Sequence, residues 1–218
     1  MLSPSQPERP SATPPVSGGV VAARRLRWPA RARRRISQFD ERVDHSFARF
    51  RGHPRLDRVM YAASELGDFS LVWHLLATGR ALRSDRHLRE GVRQSVMLGF
   101  ESLLVNGLVK SFFNRARPEW DQHRPHRLRR PSSSSFPSGH ASAAFTAAAL
   151  LGHRRRTWPA YYVMAAVVAT SRVYVRIHHA SDVVGGAVIG GVFGRVARRA
   201  WPLPGEGQGK GKGKGSTR

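Results

Sequence analysis

The stretch SRVYVRIHHASDVVGGAVIGGVFGRVARRA, residues 171–200, decides the fold. It opens as a polar connection in which Ser171, Arg172, Arg176, His178, His179 and Asp182 crowd together. From Val183 to Ala200 it turns apolar, with Gly186, Gly190 and Gly194 at four-residue spacing. Residues four apart share one face of a helix, so this spacing predicts a smooth stripe against which a second helix can lie closely. A connection rich in chemistry, set between apolar helices, predicts a bundle with a polar site at one end.

Working outward, four more apolar segments precede it: Val59 to Thr78, Val92 to Phe113, Ala141 to Leu151 and Pro159 to Val175. A membrane-spanning helix needs roughly 20 mostly apolar residues. The third segment is short unless Phe136 to His140 extend it, and the first two carry Glu65, Asp68, His74 and Glu101. Such residues fit a packed bundle with a polar interior better than independent spans. The expectation is an all-α, polytopic transmembrane bundle of about five spans. The competing reading is a soluble helical protein with Ala/Gly-rich core helices. Trp158 and Trp201 bracket segments four and five at the same end, where indoles favour a headgroup region.

Upstream, Ile36 to Arg51 places Ile36, Phe39, Val43, Phe47 and Phe50 on one helical face. This predicts an amphipathic helix, lying on the membrane or packed against the bundle. The expected organisation is a basic disordered tail over 1–35, the amphipathic helix and its connection over 36–58, the membrane domain over 59–200, and a Gly/Lys-rich tail over 201–218. The mean hydropathy of -0.41 looks soluble, because the polar residues gather in tails and connections.

The formal net charge of +23 asks for an anionic partner. Membrane lipids with anionic headgroups answer that demand, and no specific nucleic acid is expected. With no Cys among the 218 residues, disulfides, thiolate nucleophiles and Cys-bound zinc are excluded. A basic, Pro-rich start without a compact apolar core gives no signal peptide.

Three polar clusters fall at segment ends: KSFFNRARP (110–118), PSSSSFPSGH (131–140) and SRVYVRIHHASD (171–182). If successive helices alternate in direction, all three meet on one face of the bundle. Lys110, Arg117 and Arg172, beside Ser138 and Gly139 at a helix start, form a cage for a phosphate dianion. A neutral imidazole can attack phosphorus when its other nitrogen is held by a carboxylate. His178 and Asp182, four apart, suit that pairing, and His140 can serve as acid and base. Neither metal nor cofactor is expected, because fixed cations supply the charge stabilisation. His123 and His126, without a nearby carboxylate cluster, make a poor metal site.

The three clusters resemble the signature of the type 2 phosphatidic acid phosphatase superfamily, which includes bacterial acid phosphatases and vanadium haloperoxidases. The family pattern K-x6-RP, PSGH, SR-x5-H-x3-D reads here as Lys110–Arg117–Pro118, Pro137–Ser138–Gly139–His140 and Ser171–Arg172–His178–Asp182. The resemblance implies His178 as nucleophile, Asp182 as its orienting partner and His140 as acid/base. It also implies phosphate binding by Lys110, Arg117, Ser138, Gly139 and Arg172. Family spacing selects His178 over the adjacent His179, which composition alone leaves open.

The remaining polar residues receive plainer expectations. Arg115 and Arg176 read as headgroup-facing charges, and Ser132 to Ser135 as a flexible loop without catalytic work. Glu65 and Asp68, three apart, are expected on one helix face, balancing the cations or tying segment one to segment two. Glu101 and Asn106 are assigned the same task from segment two. The function expected is a membrane lipid phosphatase acting on a phosphomonoester or pyrophosphate. The alternatives are a vanadate-dependent haloperoxidase and an inactive basic lipid- or nucleic-acid-binding protein. The setting expected is a bacterial-type plasma membrane. Both faces of the bundle are basic, so charge does not orient it.

Overall fold

Small residues set the centre of the molecule. In the computed structural model, which describes residues 29–119, 128, 131–152 and 156–204, helix α5 (Gly139–Leu151) is buried along nearly its whole length. Six further helices surround it: α1 (Ala30–Ala48), α2 (Pro54–Leu66), α3 (Leu71–Ala81), α4 (Asp85–Ser102), α6 (Trp158–Tyr174) and α7 (Ala180–Ala200). No strand occurs among the described residues.

The glycine stripe of α7 meets α5 as expected. A Cβ added at Gly190 falls 2.0 Å from the Ser142 carbonyl oxygen, and one at Gly186 falls 2.3 Å from that of Ser138. At Gly194 it falls 2.7 Å from Ala149 Cβ. The Thr146 hydroxyl donates to the Gly190 carbonyl at 3.1 Å, a polar tie across this close contact. The other face of α7 carries Val184, Val188, Val192 and Val196, all exposed. One face of the helix is therefore cut for helix contact and the opposite face for an apolar surround.

Among the described residues, α7 is the one helix both long and apolar enough to cross a membrane, and α5 is a shorter apolar helix. Segment two forms a longer run than expected. From α4 it continues through a π-helical stretch, Leu103–Leu108, and a 3-10 turn, Val109–Phe112.

Segment one departs from expectation: it is not one helix. The chain breaks after α2 in a 3-10 turn, Asp68–Ser70, where Phe69 (φ 53°) and Ser70 (φ 59°) are both left-handed. Two successive L-residues in this region cost roughly 1–2 kcal/mol each. The break follows Gly67, where an added Cβ falls 2.7 Å from His140 Cδ2 and 2.9 Å from Val168 Cγ1. Glu65, on the outer surface of α2, is exposed and does not share a task with Asp68, which the break turns inward.

Helix α1 begins at Ala30, ahead of the amphipathic segment read from Ile36, and packs against the bundle. Val43 and Phe47 contact core clusters on α6 and α7, while Phe39 and Phe50 face outward. The inward face is rotated because it carries a buried acid, Asp40. The expected tails at 1–28 and 205–218, and His123 and His126, lie outside the described residues.

Candidate functional site

The site begins with two helix starts locked together. Ser138 caps α5 by accepting from the Ala141 N–H at 3.4 Å, and its own N–H donates to the Asp182 carbonyl at 3.0 Å. At the start of α7, His179 and Asp182 form a reciprocal capping box in which the His179 N–H donates to Asp182 Oδ2 at 2.9 Å. The Gly186 contact holds these starts side by side, bringing Ser138, Gly139, His140, His178 and Asp182 to one end of the bundle. The closing turn of the α4 run brings Lys110 there, and the end of α6 brings Arg172.

A cavity of about 440 Å3 opens at this end, with Lys110, Gly139, His140, Arg172 and His178 in its wall. Arg172 is buried and donates to the Ser64 hydroxyl and carbonyl. Arg117 reaches in from the loop, with Nη1 3.1 Å from both the Ile177 carbonyl oxygen and His178 Nε2. A guanidinium only donates, so His178 Nε2 meets it with a lone pair and Nδ1 carries the ring proton. Burial pushes the His178 imidazole down to about 3, and the Arg117 and Arg172 cations push the same way against the opposing Asp182 contact. At neutral pH this ring is uncharged.

Behind His178 stands Asp182, at ion-pair distance, with a further residue beside them. His178 Nδ1 is 3.7 Å from Asp182 Oδ2, beyond hydrogen-bond length. Ser135 stands between them: its hydroxyl donates to Asp182 Oδ2 at 2.5 Å and lies 3.5 Å from His178 Nδ1. Ser135 is fully buried, and its backbone N–H donates to the Arg115 carbonyl at 2.9 Å, so it is no flexible loop residue.

Arg115 likewise turns inward and does not face headgroups. Its guanidinium donates to Asp182 Oδ1 at 2.7 Å and to Asp40 Oδ2 at 2.5 Å. Asp40 also accepts from the Ser181 N–H (2.8 Å) and hydroxyl (2.9 Å). A chain of charges thus runs from α1 through Arg115 to the carboxylate behind His178. After Phe112 the backbone is extended, and in an extended chain alternate residues point the same way. Arg115 and Arg117 therefore both turn inward, a signal that helical spacing conceals. Arg176 faces Asp44, at 3.6 Å.

His140 has its own carboxylate: Asp68 Oδ1 lies 2.9 Å from His140 Nε2. Glu101 and Asn106 line the same cavity, and Asn106 donates to the Ser102 hydroxyl at 3.1 Å. A second cavity, of about 520 Å3, touches His178 from the α1 side. Its wall includes Asp40, Glu41, Asp44 and Glu119 together with Arg115 and Arg176, so acids outnumber cations there.

Residues 91–204 match the family model described as the PAP2 superfamily. Decaprenylphosphoryl-5-phosphoribose phosphatase of Mycobacterium tuberculosis is 32% identical over 133 residues, covering 61% of this chain and 73% of that protein. Phosphatidylglycerophosphatase B of Bacillus subtilis is 27% identical over 168 residues, 71% of this chain and 79% of that protein. The crystal structure of a transmembrane PAP2-type phosphatidylglycerolphosphate phosphatase from Bacillus subtilis superposes with a TM-score of 0.60 at 25% identity, covering 76% of this chain and 86% of that one. Aquifex aeolicus LpxE superposes with a TM-score of 0.59 at 25% identity, over 72% and 93% of the two chains. The helical bundle, the cation-lined cavity and these relatives agree: the chain belongs to the PAP2 superfamily and is an integral membrane phosphatase.

Proposed function

We propose that this phosphatase hydrolyses a lipid phosphate monoester through a covalent phosphohistidine on His178. One observation carries the reading: Arg117 Nη1 lies 3.1 Å from His178 Nε2, at a cavity whose wall also holds Lys110, Arg172 and His140. A phosphate oxygen gathered by Arg117 brings phosphorus within reach of the Nε2 lone pair. Lys110 and Arg172 share the remaining charge, with the Ser138 hydroxyl and the Gly139 N–H at the start of α5.

Two displacements follow. His178 Nε2 forms a bond to phosphorus as the ester P–O bond breaks, and protonated His140 gives its proton to the leaving oxygen. Nδ1 keeps its proton, held by Ser135 and Asp182. His140 then takes a proton from water as the water oxygen attacks phosphorus and the N–P bond breaks. Ester and water become alcohol and phosphate, and both histidines return to their starting states. The Asp68 carboxylate and the arriving phosphate favour a proton on His140, against the burial and the Arg172 cation that disfavour it.

The lipid nature of the substrate draws on two observations. The curated relatives are named for lipid phosphates. In addition, Phe69, in the cavity wall, is 81% exposed, and Phe100 and Leu103, next in sequence to the wall residues Glu101 and Ser102, are exposed apolar side chains suited to a hydrocarbon surround. On this reading the chain crosses a bacterial-type plasma membrane five times, the α2–α3 pair making the first pass. The exposed Arg31, Arg33, Arg34 and Arg35 of α1 then meet anionic headgroups.

The test is phosphate release from detergent-dispersed lipid phosphates in the presence of chelator. Wild type turns over, and His178→Ala loses at least about 10³-fold in kcat. Labelled phosphate is trapped on wild-type His178 after an alkaline quench. Full turnover by His178→Ala overturns the mechanism.

A further inference from the structure

The candidate cavity extends beyond the phosphate cage. Its volume of about 440 Å3 falls in the roughly 300–1,000 Å3 range of pockets that enclose a whole ligand, so it holds more than a phosphate. Beside the apolar Phe69, Leu98 and Ala143, the added wall carries a polar patch that a hydrocarbon tail would not call for. Glu101, Ser102 and Asn106 come from α4 and its π-helical continuation, and His74 of α3 pairs with Ser95 of α4, Nδ1 to Oγ, at 3.0 Å. Phosphohistidine chemistry uses none of these residues.

Glu101 gives the wall its meaning. It is 1% exposed, it lines the cavity, and its Oε1 lacks a hydrogen-bond partner among the described residues. A buried acceptor without a donor is costly, so the group that fills this space is expected to supply one. A phosphate dianion offers acceptors only and is repelled by a carboxylate. Hydroxyl groups supply the donor, and the His74–Ser95 pair can both give and take hydrogen bonds with them. His74 stands one turn into α3, beyond the break that sets Asp68 against His140, which puts this wall on the leaving-group side.

We infer that Glu101, with His74 and Ser95, forms a subsite that reads hydroxyl groups on the leaving group. The preferred substrate is then a phosphate monoester of a polyol or sugar carried on a lipid. A phosphate attached directly to a hydrocarbon chain, or to a second phosphate, is disfavoured. This inference rests on the phosphatase reading above and adds the class of its substrate.

The experiment compares kcat/KM of the full-length enzyme in one detergent on three probes. These are phosphatidylglycerol phosphate for the polyol source, a phosphosugar carried on a prenyl phosphate for the sugar source, and farnesyl phosphate without hydroxyls. Wild type is expected to favour at least one hydroxylated probe over farnesyl phosphate by about tenfold or more. The better of the two identifies the source. Glu101→Leu lowers that ratio by about tenfold, His74→Phe and Ser95→Ala by about threefold or more, and Glu101→Gln, which keeps an acceptor, stays closest to wild type. Equal kcat/KM on all three probes, or a Glu101→Leu loss of the same factor on each, overturns the subsite while leaving the phosphatase intact. Should Glu101→Leu not fold, unchanged ratios in both His74→Phe and Ser95→Ala overturn it instead. Wild-type inactivity on every probe overturns the phosphatase reading and the subsite with it.

Discussion

The seam between α5 and α7 and the break between α2 and α3 both deliver residues to the candidate site, by opposite means. The seam is close-packed: three glycines let α7 lie against the α5 backbone, and Ser138, His178 and Asp182 follow from where those helices begin. The break is a local departure from helix, in which two left-handed residues turn Asp68 onto His140. The seam holds His178, the proposed nucleophile, and the break positions Asp68 against His140, the proposed acid. A seam built on contact distances tolerates little change. A break whose charged tie is the Asp68–His140 contact is expected to fail gradually.

The largest effect should come from filling the seam. Gly190→Val places a side chain where even a Cβ falls 2.0 Å from backbone oxygen, so the helices must separate. A cost on the order of 3 kcal/mol or more is expected from overpacking, with loss of the monodisperse species in size-exclusion chromatography. A Gly190→Val protein that elutes and melts like wild type would break the comparison at its firmer end. Next comes Arg115→Ala, which leaves Asp182 and Asp40 facing each other without their shared cation. Removing one partner of a buried pair costs about 3–5 kcal/mol, discounted here because Arg115 is a quarter exposed. The expected result is a lower melting temperature together with a fall in kcat, and Asp40→Asn should shift both in the same direction by less.

The seam was legible in the sequence because its signal is periodic: Gly186, Gly190 and Gly194 announce a helix face wherever the helix lies. The three polar clusters were legible for the same reason, since their positions at helix ends fix where they meet. The break was not. Val59 to Thr78 is apolar enough to read as one helix, and the reason it bends lies in a contact with α5 that no local spacing records. Asp40, Arg115 and Ser135 escaped for a related reason. Each sits on an element whose orientation is set by its partner: α1 rotates to bury Asp40, and the extended chain after Phe112 turns Arg115 inward.

Asp68→Asn tests the break directly. It removes the charge that favours a proton on His140 and keeps the shape. General acid catalysis contributes typically 10²–10⁴-fold, and a positioned partner supplies part of it, so a fall in kcat of about tenfold to a hundredfold is expected on an alkyl phosphate. The loss should shrink towards unity on p-nitrophenyl phosphate, whose leaving group needs no proton. An equal loss on both substrates would show that Asp68 shapes the cavity without serving the acid.

The smallest effect is on stability against pH, and it returns to the seam side. His178 is held down to about 3, against 6.5 for an unburied imidazole. Between these values the unfolded chain binds a proton at this position and the folded chain does not. Stability therefore rises with pH across that window and falls as pH drops through it. Replacing His178 with Gln removes the titrating group, so the variant should lose less melting temperature than wild type between pH 6.5 and pH 4.5. His140 and the other histidines are shared by both proteins and cancel in the difference. Identical pH slopes for wild type and His178→Gln would mean that the buried ring does not repel its proton. The neutral nucleophile on which the first displacement depends would then need another source.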